Sequence, residues 1–342
     1  MVVMNPPQLV DQFSRTIRYL RLSVTDRCNL RCTYCMAEDM VFLPKAKVLS
    51  LEELALVAKT FVSLGVEKIR LTGGEPLVRK GVITLAQQLG QLQGLRELVM
   101  TTNGVLLDEY ARSLKAAGVS RVNISLDTLK PERFKSLTRF GELSDVLRGL
   151  KAAQSAQFSR IKLNAVILRG VNDDEVIDLT RFAVQEGIDI SFIEEMPLGN
   201  IDSHQRELTS VSSDDIRHRL EDAFAVQPSD QRDAAGGPAR YYEVPNSATR
   251  VGFISPMSHN FCASCNRVRV TTEGQLLLCL GNEDALDLRE IIRSSAAQGL
   301  HDDAIQDILA AQLIAAMRSK PEKHEFDPRE IKITRFMSAT GG

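Results

Sequence analysis

The sequence predicts an α/β protein, an incomplete (β/α)6 TIM-like barrel over residues 11–210 with a C-terminal α+β extension over residues 211–342. Two observations predict it. Extended and helical segments alternate six times in order, which argues for parallel strands joined by helices. Several of these strands also alternate polar with apolar residues, whereas a parallel sheet covered on both faces reads as unbroken apolar runs. One polar face calls for a lumen with helices packed outside. Six units are fewer than the eight of a closed barrel and leave a lateral opening.

Strands are expected over 18–25, 67–72, 96–102, 120–126, 160–168 and 188–196. Side chains switch faces at every residue, so Arg21, Ser23 and Thr25 oppose Leu20, Leu22 and Val24. By the same parity Asn123, Ser125 and Asp127 oppose Val122, Ile124 and Leu126, and Lys162 and Asn164 oppose Ile161, Leu163 and Ala165. Amphipathic helices are expected over 50–64, 106–117, 142–157 and 173–187, the first opening on Ser50 and Glu53 as a capping box. Past residue 210 the pattern changes. A helix near 211–225 leads into VQPSDQRDAAGGPAR (226–240), which reads as a loop or linker. RVRVTT, EGQ and LLLCL read as a hairpin, and two helices follow near 287–295 and 302–318.

The composition, 44% hydrophobic and 25% charged with a formal net charge of −2, supports a sizeable core. It advertises neither nucleic-acid nor membrane binding, so any bound anion must be met by local charge. No apolar run approaches a membrane span. Six cysteines in 342 residues, with no segment that reads as a secretory signal, point to reduced thiols in a cytoplasm-like compartment.

Those cysteines form two triads. Cys28, Cys32 and Cys35 make C-x3-C-x2-C, and Cys262, Cys265 and Cys279 make C-x2-C-x13-C. A four-iron cluster otherwise takes one cysteine per iron, so each triad could hold a [4Fe-4S] cluster with one iron left open. A structural zinc site is the rival. It needs four protein ligands, and the first triad lacks a nearby histidine. At the second triad His259 makes H-x2-C-x2-C-x13-C, and there the zinc reading stays open.

The first triad follows the first strand, where active sites of β/α barrels lie. Its C-x3-C-x2-C, with an aromatic before the last cysteine, resembles the radical S-adenosylmethionine superfamily. Gly73-Gly74-Glu75-Pro76 after the second strand resembles that superfamily's methionine-binding motif. The resemblance implies that the open iron chelates S-adenosylmethionine, with Tyr34, Gly74, Ser125 and Met196 lining the cofactor site. Glycine at 73 and 74 would let the backbone approach the methionine moiety.

The C-terminal half narrows the resemblance. FCASCNRVRVTTEGQLLLCL, together with RLSVTDRCNLRCTYCM, RLTGGEPL, TTNG, SLD and the terminal Gly341-Gly342, resembles the GTP 3′,8-cyclase family of molybdenum cofactor biosynthesis, across essentially the whole chain. Residues 11–210 would then be the radical barrel and 211–342 a substrate and auxiliary-cluster region. The resemblance implies a second four-iron cluster on Cys262, Cys265 and Cys279 meeting the guanine base, and a glycine tail, Gly341 and Gly342, that reaches the active site. It also implies a homodimer, an electron donor and a downstream cyclic pyranopterin monophosphate synthase.

The residues themselves support an anionic substrate. Arg267 and Arg269 project to one face of a strand, and paired guanidinium forks suit phosphate oxygens. Arg21, Arg70 and Lys162 sit on strands among polar neighbours, and five cations in one lumen would balance most of a triphosphate. Thr101 joins them by resemblance, as a hydroxyl donor. Two other readings are a different radical enzyme of the peptide-maturase type and a zinc-stabilised nucleotide-binding module.

Overall fold

The computed structural model describes residues 8–199, 201, 206–230, 236–327 and 332–341. Six β/α units run in order: β1 (Tyr19–Ser23), α1 (Leu51–Ser63), β2 (Lys68–Thr72), α2 (Val82–Gly90), β3 (Glu97–Thr102), α3 (Leu107–Ala116), β4 (Val119–Ser125), α4 (Pro131–Thr138), α5 (Leu143–Ser155), β5 (Arg160–Val166), α6 (Val176–Glu186) and β6 (Asp189–Ile193). The capping box forms. The Ser50 hydroxyl accepts from the Glu53 amide at 3.1 Å, and the Glu53 carboxylate accepts from the Ser50 amide at 2.7 Å. Such a cap contributes about 1 kcal/mol to a helix.

The second half comprises α7 (Arg206–Thr209), α8 (Ser213–Phe224), β7 (Gln227–Pro228), β8 (Arg240–Glu243), β9 (Arg250–Ile254), β10 (Arg267–Val270), β11 (Gln275–Leu277), β12 (Ala285–Asp287), α9 (Leu288–Ala297), α10 (Asp302–Ala316) and α11 (Met337–Thr340). The expected hairpin is β10 and β11, which pair antiparallel through Arg269 and Leu277. The stretch expected as a linker opens on a strand, because Gln227 and Pro228 pair with Glu243 and Tyr242 on the edge of the sheet.

All twelve strands join one sheet, in the order β12-β11-β10-β1-β2-β3-β4-β5-β6-β9-β8-β7. Among the described residues the extension adds no separate sheet. Its β10 lies parallel to β1, and its β9 lies parallel to β6. The strand order is linear, which leaves a partial barrel.

The apolar sides of the strands face outward as their alternation requires. Leu20, Leu22, Ile69, Leu71, Val122, Ile124, Ile190 and Phe192 are inaccessible to solvent and belong to the core that the helices cover. Each such side chain contributes roughly 1.5–3 kcal/mol by leaving water. No helix among the described residues is long and apolar enough to cross a membrane.

Candidate functional site

Parallel register sets the inner face. Arg21 of β1 stands opposite Arg269 of β10 on one side and Arg70 of β2 on the other. One step toward the strand N-termini, Tyr19 stands between Arg267 and Lys68. Neighbouring strands lie about 4.8 Å apart, so three guanidinium groups form a row across the wall of the lumen. Asn123 of β4 stands beside Lys162 of β5, which continues the polar face.

Part of this charge is neutralised within the wall. Glu97 pairs with Lys68 at 2.6 Å and with Arg121 at 2.9 Å. Asp189 pairs with Arg160 at 2.6 Å and with Arg250 at 3.0 Å. Arg70 instead reaches two hydroxyls, those of Tyr19 at 2.5 Å and Thr101 at 3.0 Å. Lys162 donates to the Tyr241 hydroxyl at 3.3 Å, and the guanidinium of Arg267 lies over the Phe261 ring. Burial lowers the pKa of Arg21 to about 10, with Arg70 and Arg267 adding to the effect. Burial likewise lowers Arg269 well below the usual guanidinium range, assisted by Arg21 and Arg267. These shifts follow from burial together with the crowding of like charges.

Two cavities open from the lumen. One is lined by Cys262, Cys265 and Cys279 together with Arg21, Arg70, Lys162, Arg267 and Arg269. The other is lined by Cys28, Cys32, Cys35, Tyr34, Gly74, Thr101 and Ser125. They share Asn164, Ile193, Met196 and Met337 as a common wall. Thr101 lines the cavity of the first triad and accepts a hydrogen bond from Arg70 of the arginine row.

Loops at the strand ends are tied together by buried carboxylates. Glu75, after β2, accepts from the Asn103 amide at 2.6 Å, the Thr102 hydroxyl at 2.9 Å and the Leu77 amide at 3.0 Å. Asp127, after β4, accepts from the Val166 amide at 2.8 Å and from the Tyr34 hydroxyl at 2.6 Å. Glu194, after β6, holds the amides of Ser213, Met257 and Ser258.

Gly74 lines the first-triad cavity and also packs against backbone. A Cβ there would stand 2.4 Å from the Arg27 carbonyl oxygen, and the Gly74 amide donates to Thr25 at 2.8 Å. The missing side chain lets the turn after β2 abut the backbone that leads into Cys28. The tail enters the lumen. The carbonyl of Gly341 accepts from Arg21 at 3.2 Å and also from Arg269, and a Cβ on Gly341 would stand 2.2 Å from Thr72 Cγ2. Gly342 lies outside the described residues.

Burial makes free thiolates costly at these cysteines. Burial pushes Cys28 up to about 11 and Cys32 well above the usual thiol range, so thiolates there call for a cation as partner. Burial raises the Cys265 thiol, but Arg267, Lys320 and Arg15 outweigh it and hold the group below its ordinary value. Among the described residues, no group of three or more His, Cys, Asp and Glu side chains is placed to hold one metal ion. A four-iron cube takes one thiolate per iron, and three cysteines line each cavity. His259, the residue favouring zinc, has its Nε2 2.7 Å from Asp214 Oδ2.

Residues 22–183 match the Radical SAM superfamily, and residues 188–326 match the family described as Molybdenum Cofactor Synthesis C. Over its full length the chain is 56% identical to GTP 3′,8-cyclase 2 of Pseudomonas aeruginosa, with 99% of this chain and 100% of that protein covered. The chain belongs to the GTP 3′,8-cyclase family. GTP 3′,8-cyclase of Saccharophagus degradans is 53% identical, with 98% of each covered. Among solved structures, Streptococcus suis SuiB bound to S-adenosylmethionine superposes with a TM-score of 0.61 at 14% identity. That match covers 82% of this chain and 65% of SuiB, and it bears on the fold alone.

Sequence reasoning missed several groups at this GTP 3′,8-cyclase-family site. Asn123 and Asn164 were legible as lumen-facing but not as ligands. Their side-chain oxygens are buried with no hydrogen-bond partner among the described residues, which buried acceptors rarely are. Tyr19 and Lys320 carried no local signal.

Proposed function

We propose that the lumen binds GTP and that the chain converts it to 3′,8-cyclo-7,8-dihydro-GTP, the first step of molybdenum cofactor biosynthesis. The observation that carries this reading is the in-register row Arg269–Arg21–Arg70 beside a cysteine triad. Guanidinium forks in a row bind a polyphosphate with paired, charge-assisted hydrogen bonds. Lys162 and Arg267 line the same cavity, and Thr101 reaches the row through Arg70.

Residues 11–210 serve as the radical barrel and 211–342 as the substrate region. Cys28, Cys32 and Cys35 hold one [4Fe-4S] cluster, with Gly74, Tyr34, Ser125 and Met196 around S-adenosylmethionine. Cys262, Cys265 and Cys279 hold a second cluster facing the guanine. When bound, the first cluster and S-adenosylmethionine supply the one-electron chemistry that starts hydrogen abstraction from the substrate.

The chain's own task is placement. Both reacting positions, C3′ and C8, belong to one nucleoside, so the triphosphate must be gripped at one end while the sugar faces the first triad. The arginines grip, and the shared wall of Asn164 and Met196 lies between the two cavities. Fixing a reactive conformer in this way is a proximity effect. Met337 and Gly341 close the lumen from the C-terminal side and exclude water. We further assign the chain a homodimeric state, an external electron donor and a downstream synthase that consumes the cyclised nucleotide.

The test is anaerobic reconstitution followed by incubation with GTP, S-adenosylmethionine and dithionite. The expected result is about eight irons per chain, with 5′-deoxyadenosine and the cyclised nucleotide formed in step. Equal product-coupled cleavage with other nucleotides would sink the substrate assignment.

A further inference from the structure

Lys320 carries its charge into the interior. The residue is 2% exposed, and no carboxylate pairs with it among the described residues. Its ammonium donates to the Leu278 carbonyl and to the Arg267 carbonyl at 3.2 Å, and it lies 3.8 Å from Cys265 Sγ. Those three acceptors use all three N–H bonds. Leu278 directly precedes Cys279, and Arg267 comes two residues after Cys265. The ammonium therefore bridges the two chain segments that bring the second triad together.

A second tie works from the other side. Arg15 donates to the Cys262 carbonyl at 2.8 Å and to the carbonyls of Pro321 and Glu322, next to Lys320. Arg15 is itself neutralised by Asp11 at 2.5 Å. Among the described residues Lys320 has no such counter-charge.

Burying an unpaired ammonium is costly unless a negative charge is supplied nearby. Three thiolates outweigh the positive charge of an oxidised four-iron core, and one-electron reduction adds another negative charge. We propose that Lys320 is a positioning residue of the second triad, stapling the Cys265 arm to the Cys279 arm and favouring the reduced state of the cluster held there. This rests on the second-cluster reading above.

The test uses the full-length chain with Cys28, Cys32 and Cys35 changed to Ala, so that only the second triad can take up iron. If this protein assembles no four-iron cluster, the second-cluster reading fails and takes the inference with it. If it does, potentiometric titration with dithionite, read by electron paramagnetic resonance, compares Lys320 with Lys320→Met, Lys320→Gln and Lys320→Arg.

The expected result for Met and Gln is a reduction equilibrium at least tenfold less favourable, a shift of about 59 mV to lower potential for one electron. Arg should restore it. Unchanged potentials in the Met and Gln variants overturn the inference, as does an Arg variant shifted as far as Met. Loss of iron in Met and Gln with native circular dichroism, and retention in Arg, supports the stapling role. Should neither Met nor Gln fold, the Lys320 protein is labelled with ¹⁵N-lysine. Nitrogen coupling to the reduced cluster then supports the inference, and its absence overturns it.

Discussion

The Nε of Arg70 donates to the Tyr19 hydroxyl oxygen at 2.5 Å, which places a buried phenol inside the cationic wall. Burial alone would raise that phenol, but Arg70, Arg21 and Lys68 together pull it down to about 6. The folded value lies below the unfolded one, so this contribution to stability grows from about pH 6 toward 10 and is lost below about 6. Phenolate absorbance should show one of the five tyrosines titrating near pH 6, a step that Tyr19→Phe removes. Triphosphate competes for the same cations, so GTP should move the step upward. Tyr19→Phe should also flatten the pH dependence of GTP affinity, measured by equilibrium binding.

The two kinds of cation should behave differently. Lys162→Ala removes a charge, and Arg70→Lys keeps the charge but loses the fork that reaches Tyr19 and Thr101. Each should weaken GTP binding by about tenfold, equivalent to about 1.4 kcal/mol. Only Lys162→Ala should also reduce the salt dependence of binding. Calorimetric titrations at two ionic strengths separate them.

Gly341→Ala should unseat the tail. Its φ of +77° disfavours a side chain, and the added carbon overlaps Thr72. Strained backbone alone costs about 1–3 kcal/mol, so turnover should fall on the order of tenfold while iron content stays normal. Thr72→Ser deletes the Cγ2 that the new carbon would strike, so in the Gly341→Ala background it should recover part of the loss. No recovery would point to backbone strain alone.

Glu75→Ala leaves the Leu77 and Asn103 amides and the Thr102 hydroxyl without their acceptor. At about 1–3 kcal/mol for each unsatisfied group, the variant should melt well below the parent. It should also lose iron from the first triad selectively, because Asn103 holds Asn29 at 2.7 Å beside Cys28. Metal analysis in a background with Cys262, Cys265 and Cys279 changed to Ala would read this directly.

What the sequence made legible was whatever repeats with a short period. Arg21, Asn123 and Lys162 alternate with apolar partners, and that alternation predicted their common face. The capping box at Ser50 and Glu53 needed only four consecutive positions. What escaped depended on contacts between distant strands. Tyr19 looks like an ordinary strand aromatic until register sets it between Arg267 and Lys68. Gly74 was legible as a glycine of the cavity mouth, but its tight packing on the Arg27 carbonyl was not. Lys320 sits in a segment with no motif and gains its place only because Leu278 and Arg267 converge on it.

The pairing of β10 with β1 and of β9 with β6 has a consequence for synthesis. The first six strands leave the ribosome with both outer edges unpaired, and their partners follow only with residues 250–254 and 267–270. Until then the nascent chain presents two open strand edges, a ready template for sticking to other chains. A chain truncated before residue 250 should therefore aggregate rather than yield a usable half-enzyme.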